Sequence, residues 1–153
     1  MKKFFLVAAL AINAFFSGTA AAAADHGSAD EAIALVKKGS AFIKANGADK
    51  AYPAFNETKG QFVDRDLYLF VFDMAGKTLA HGANAKLLDK NLVDLKDADG
   101  KAFIKEFLEV ANKKGKGWID YKWPNPISKA IEQKSTYIEK LDNGTIIGCG
   151  IYK

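Results

Sequence analysis

The stretch GWIDYKWPNP, residues 117–126, carries Trp118, Tyr121 and Trp123 ahead of Pro124 and Pro126. Aromatic rings with a polar tip suit a concave site, because they supply stiff apolar walls while a phenol hydroxyl or an indole N–H holds one ligand atom. Strand alternation sends Ile119, Tyr121 and Trp123 to one face and Trp118, Asp120 and Lys122 to the other, and the prolines prevent further pairing. Rings that act only as core and edge cover are the alternative, since most aromatics in small domains are core. Apart from His26, the chain's one histidine is His81. With an ordinary pKa near about 6.5 it can donate a hydrogen bond to a carboxylate, and should hold one better once protonated. A structural histidine that pins the next loop is the competing role.

Other chemistries fit less well. A single histidine with no second histidine, cysteine or spaced carboxylate nearby makes no metal set, and neither a metal nor a cofactor is expected. Asp97, Asp99, Gly100 and Glu106 fall at the third, fifth, sixth and twelfth positions of a calcium loop, but Leu95 stands where the first oxygen ligand belongs. Helix capping accounts for the same aspartates. Cys149, the only cysteine, alternates with Ile147 and Ile151 and reads as a buried small hydrophobe. No base or oxyanion hole accompanies it, so catalysis is not expected. Arg65 has bidentate geometry for a carboxylate, yet Asp64 and Asp66 flank it and point to a surface ion pair.

The elements that carry these residues follow from periodicity. Ser28 and Glu31 have capping-box spacing, and Ala32, Leu35, Val36, Gly39, Phe42 and Ile43 recur at helical intervals until Asn46 and Gly47. A short segment with Tyr52, Pro53 and Phe55 follows. In LYLFVF, Leu67, Leu69 and Val71 alternate with Tyr68, Phe70 and Phe72, so both faces are apolar and the strand is central. MAGK is a turn and TLAHG a returning strand. Asp97 or Asp99 should cap a helix with Phe103, Ile104, Phe107, Leu108 and Ala111 on one side. GWIDYKW, KSTYIEKL and TIIGCGIY read as three closing strands, the last two joined at DNG. Helices segregated from hairpin-linked strands give an α+β fold with an antiparallel sheet.

Composition limits the setting. Lys2 and Lys3, the apolar residues 4–16 and the TAAAAA tract have the layout of a signal peptide over residues 1–24, cleaved after Ala24, with one domain over residues 25–153. An uncleaved anchor is the rival reading; with cleavage the domain is periplasmic. Without Lys2 and Lys3 the 22 cationic residues fall to 20 against 18 acidic ones, a net charge of +2, and only Arg65 is an arginine. A nucleic-acid partner, which needs a basic stripe, is therefore not expected.

Taken together, FVFD, LAH, NLVDLKDADGKAF, GWIDYKWPNP and GCGIYK resemble the single Cache domain of the second type, a sensor module of bacterial chemoreceptors and histidine kinases. The resemblance covers roughly residues 28–153. It implies a PAS-like fold, with a long N-terminal helix behind a mainly antiparallel five- to six-stranded sheet whose other face, roofed by loops, holds a small ligand, commonly an organic acid. On that resemblance Lys134 and His81 meet the acid group, Tyr68, Tyr121 and Tyr137 donate hydrogen bonds, and Trp123 forms the wall. A lysine facing an aromatic pocket is costly without an anion, whereas an exposed edge-strand lysine is the alternative. Gly82 and Ala85 stand where the family often has proline, which alters the expected loop after His81. With no second span or signalling module in the sequence, the expected partner is a separate membrane receptor or kinase, and a homodimer through the first helix is a further expectation. An accessory subunit with no ligand of its own, or an enzyme using His81 as a base, are the alternatives.

Overall fold

The computed structural model describes residues 26–153, so the expected signal peptide and its expected cleavage after Ala24 lie outside the described residues. Helix α1, Ala29–Asn46, opens with the expected capping box: the Glu31 N–H donates to Ser28 Oγ at 3.3 Å and the Ser28 N–H to Glu31 Oε2 at 2.7 Å. It buries Ala32, Val36 and Gly39. A Cβ on Gly39 would sit 2.5 Å from Leu69 Cδ1 and 2.8 Å from Ile147 Cδ1, so the glycine lets the helix lie directly on the sheet. The segment around Pro53 forms a second helix, α2, Ala48–Asn56, burying Ala51 and Phe55.

Strands β1 (Val63–Asp64), β2 (Leu67–Phe72) and β3 (Thr78–His81) come next, and a 3-10 turn spans Ala85–Leu87. Helix α3, Phe103–Lys114, and strands β4 (Lys116–Pro124), β5 (Ile131–Lys140) and β6 (Ile146–Tyr152) complete the chain. All pairings are antiparallel, in the order β1-β2-β6-β5-β4, with β3 also on β2. This is the expected α+β fold, with six strands. Arg65 turns the β1–β2 connection with φ 55° and pairs with Glu31 at 2.6 Å and Asp64 at 2.8 Å.

One detail departs from the sequence reading, and one gives physical form to the Gly82 position. No aspartate caps α3, whose N-cap is Ala102. Asp97 instead accepts from the N–H groups of Asp99 and Lys101 and, at 2.9 Å, from that of Lys122 on β4, tying the loop before α3 to the sheet edge. At the loop after His81, the Gly82 N–H donates to the Leu69 carbonyl at 2.9 Å, a bond that proline could not make.

The sheet divides two cores. On one face α1 and α2 pack Ala32, Val36 and Phe55 against Leu67, Leu69, Val71, Ile147 and Cys149. On the other, α3 packs Phe103, Ile104 and Phe107 against Tyr68, Phe70, Phe72, Ile119, Tyr121 and Ile138. Among the described residues no helix is long and apolar enough to cross a membrane.

Candidate ligand-binding site

The β4–β5–β6 register puts Tyr121, Lys134 and Tyr152 side by side, with Tyr121 opposite Lys134 and Lys134 opposite Tyr152. Because alternate residues share a face, the run GCGIY presents Gly148, Gly150 and Tyr152 to the side opposite Cys149. The glycines make room: a Cβ on Gly150 would lie 2.3 Å from both Lys134 Cε and Thr136 Oγ1, and one on Gly148 would lie 2.3 Å from Phe70 Cζ. The Lys134 stem therefore crosses β6 at the level of the missing side chain.

Lys134 has no solvent exposure. Its ammonium donates to Tyr68 Oη at 2.6 Å and Tyr152 Oη at 3.2 Å, and lies 4.1 Å and 4.7 Å from the centres of the same two rings. No carboxylate among the described residues forms an ion pair with it. Burying an unpaired ammonium carries an effective penalty of several kcal/mol, which two hydroxyl bonds and two cation–π contacts offset only in part. Burial accordingly pulls the Lys134 pKa down to about 7. The more distant Asp66 carboxylate is fully buried and already engaged, with His26 Nδ1 and the Gly27 N–H each 2.7 Å away.

His81 closes the other side. Its backbone N–H is held by Asn56 Oδ1 at 2.8 Å, and its Nδ1 accepts from the N–H groups of Ala83 at 3.3 Å and Asn84 at 3.0 Å. A nitrogen that accepts two backbone donors carries no proton, so the ring is the neutral Nε2–H tautomer. Burial, and then the charge of Lys134, push its pKa to about 3. The expectation that His81 binds an acid better when protonated is corrected accordingly: it offers one neutral donor and holds the next loop as well.

Two neighbouring spaces share a wall here. An inner crevice of about 10 Å³ is lined by Phe70, Phe103, Phe107 and Tyr121 among others. That is room for about one water. An outer vestibule of about 180 Å³ is lined by Ala83, Asn84, Pro124, Asn125, Pro126 and Lys129. Tyr68, His81 and Trp123 line both and form the partition between them. Tyr121 stacks on Phe103 with centroids 4.2 Å apart and its hydroxyl lies 3.1 Å from Thr136 Oγ1, so it acts as wall.

The polar groups at the partition are nearly all donors. Tyr152 donates its one proton to the Pro124 carbonyl at 2.8 Å, and the Tyr68 proton has only the long 3.4 Å approach to Tyr152 Oη. Burial raises the pKa of Tyr68, Tyr121 and Tyr152, keeping the phenols protonated. The Tyr68 O–H and the neutral His81 ring, backed by the Lys134 ammonium and with the Trp123 side chain hydrogen-bonded to Tyr68, form a donor-rich, acceptor-poor wall, and such a wall suits an anion.

Of the six residues assigned from the sequence, Tyr68, His81, Tyr121, Trp123 and Lys134 come together. Tyr137 does not. It stands three positions after Lys134 on one strand, an odd offset, so it points to the opposite face, packs with the helix-side core and donates to Glu139 Oε1 at 2.6 Å. The sequence reading omitted Tyr152, Thr136 and Phe103. Tyr152 was within reach, since placing Cys149 and Ile151 in the helix-side core puts Tyr152 on the other side.

A family model described as single Cache domain 2 matches residues 21–153. The methyl-accepting chemotaxis protein McpP of Pseudomonas putida is 36% identical over 90 residues, covering 58% of this chain and 16% of that protein. The sensor histidine kinase MctS of Rhizobium johnstonii is 34% identical over 89 residues, 58% of this chain and 19% of that protein. The chain thus spans less than a fifth of the length of these relatives. Among solved structures, a methyl-accepting chemotaxis protein from Vibrio parahaemolyticus superposes with a TM-score of 0.69 at 30% identity, over 80% of this chain and 86% of that one. A Cache chemosensory domain described for carboxylic acid recognition gives 0.67 at 25% identity, over 80% and 91%.

Proposed function

The chain belongs to the single Cache domain 2 family, and from that premise we propose that it is a periplasmic module that binds a small organic acid and reports it to a membrane receptor or kinase. The buried Lys134 carries this reading. An ammonium enclosed by two phenol hydroxyls, with no carboxylate partner, lacks its countercharge, and a ligand carboxylate supplies it. Tyr68, which accepts from the Lys134 ammonium, lines both spaces together with His81 and Trp123. A vestibule of about 180 Å³ fits a small molecule; pockets for drug-sized ligands begin near about 300 Å³. No reaction is part of this reading, because the site supplies donors and a charge but no paired nucleophile and base.

A thermal-shift screen of acetate, propionate, lactate and pyruvate tests it. An acid at about 100 times its Kd stabilises the fold by roughly 2.7 kcal/mol, a melting shift on the order of 10 °C for a domain of this size. If amines or neutral amides raise the melting temperature and none of the acids does, the carboxylate reading is wrong while the family assignment stands.

A further inference from the structure

Tyr152 holds two things together. Its hydroxyl accepts from Lys134 Nζ at 3.2 Å and donates to the Pro124 carbonyl at 2.8 Å. Beyond Pro124 the chain forms a self-bonded loop, residues 125–130. The Asn125 N–H donates to the Ala130 carbonyl at 2.8 Å and the Lys129 N–H to the Asn125 carbonyl at 2.9 Å. The buried Asn125 side chain accepts from the Ile127 N–H at 2.8 Å and donates to Glu132 Oε2 at 2.7 Å, while Ser128 Oγ donates to Glu132 Oε1 at 2.5 Å. The loop is therefore one knot. On the site side, the Tyr152 bond to Pro124 is its link to the ammonium. Its outer surface carries Ile127, which is 64% exposed.

A phenol has one proton to donate. Tyr152 can give it to the Pro124 carbonyl or to a carboxylate resting on Lys134, but not to both. We propose that Tyr152 couples acid binding to the residue 124–130 loop: an acid on Lys134 takes the Tyr152 hydrogen bond, the Pro124 carbonyl loses its partner, and the loop loosens. The proposal rests on the acid reading of the same site. The two alternative acceptors supply the bistable element that a signal needs, because occupancy of one excludes the other.

Hydrogen exchange of the intact protein, with and without each of acetate, propionate, lactate and pyruvate, reads the coupling at the amides of Asn125, Ile127, Ser128 and Lys129. Loss of one net hydrogen bond corresponds to about tenfold faster opening. With a bound acid the wild-type loop should exchange about tenfold faster. Tyr152→Phe should show that faster exchange without ligand and no further change with an acid added to saturation, at an affinity lowered by the lost hydroxyl donor. Binding of an acid with unchanged or slowed loop exchange would overturn the relay and leave the acid reading intact, as would a Tyr152→Phe protein that keeps the wild-type ligand response. If none of the four acids binds the wild-type protein by calorimetry, the acid reading falls and takes the relay with it. The wild-type comparison stands even if the variant does not fold.

Discussion

Strand β2 serves two opposite surfaces, and they are built on different terms. Toward the helices it presents Leu67, Leu69 and Val71 to Ala32, Val36 and Phe55, with Gly39 letting the backbones approach. Toward the loops the same strand presents Tyr68, Phe70 and Phe72, in a layer that includes a fully buried lysine, a neutral histidine and Tyr152. Two glycines show the contrast in small: where Gly39 on α1 brings the helix onto the sheet, Gly150 on β6 makes room for an ammonium stem. Hydrocarbon packing stabilises the first face whatever is bound. The second buries a charge that raises the cost of folding and lowers the cost of receiving an anion.

The contrast can be broken from either side. Phe55→Ala, on the helix side, should have the largest effect, lowering stability by about 3–5 kcal/mol through cavity formation. Denaturant titration checks this, and the folded protein should bind acid as before; a change in affinity would mean that the two faces are not separable.

Lys134→Met keeps the stem and removes the charge. Acid affinity should fall on the order of 100-fold, while the unliganded melting temperature holds or rises, because a buried unpaired charge has been replaced by hydrocarbon. A large loss of unliganded stability would instead make Lys134 structural.

Titration sharpens the same point. The Lys134 pKa is about 7 in the folded protein and about 10.5 in an unfolded chain, so folding releases a proton between those values. Its unfavourable effect on unliganded stability is fully present below about pH 7 and fades as pH rises toward 10.5. Acid binding has the opposite sign, since it needs the ammonium: affinity should fall by up to about tenfold per pH unit above pH 7. Calorimetry at pH 6, 7.5 and 9 measures it, together with proton uptake on binding at the higher values. His81, at about 3, adds no dependence in that range. A rise in affinity toward pH 9 would remove Lys134 from the site.

The smallest effect belongs to Tyr137→Phe. It deletes the hydroxyl bond to Glu139 on the helix side, costing at most about 1 kcal/mol, and should leave acid affinity untouched. A drop in affinity would restore Tyr137 to the site.

Much of this division was legible beforehand. The double alternation of LYLFVF announced a strand with two buried faces, and Ser28 with Glu31 announced the start of α1, because both signals are local. The α3 cap was misjudged because Asp97 was claimed by Lys122, an N–H that arrives from β4 at a distance no local pattern records. Tyr137 was grouped with Lys134 although an odd spacing on one strand already separated them. Tyr152 was missed because its role depends on which strand lies beside β5.

What the sequence settled by itself was the α+β class, the order of the main helices and strands, and the two-faced central strand. Period and turn chemistry are properties of neighbouring residues, and neighbours suffice to read them. Only the tertiary structure decided that Lys134 is sealed from water between Tyr68 and Tyr152, that His81 is a neutral donor, and that Tyr152 ties the charge to Pro124. Those facts depend on the pairing of β4, β5 and β6 and on the desolvation it imposes, and solvent exclusion is a property of the packed chain.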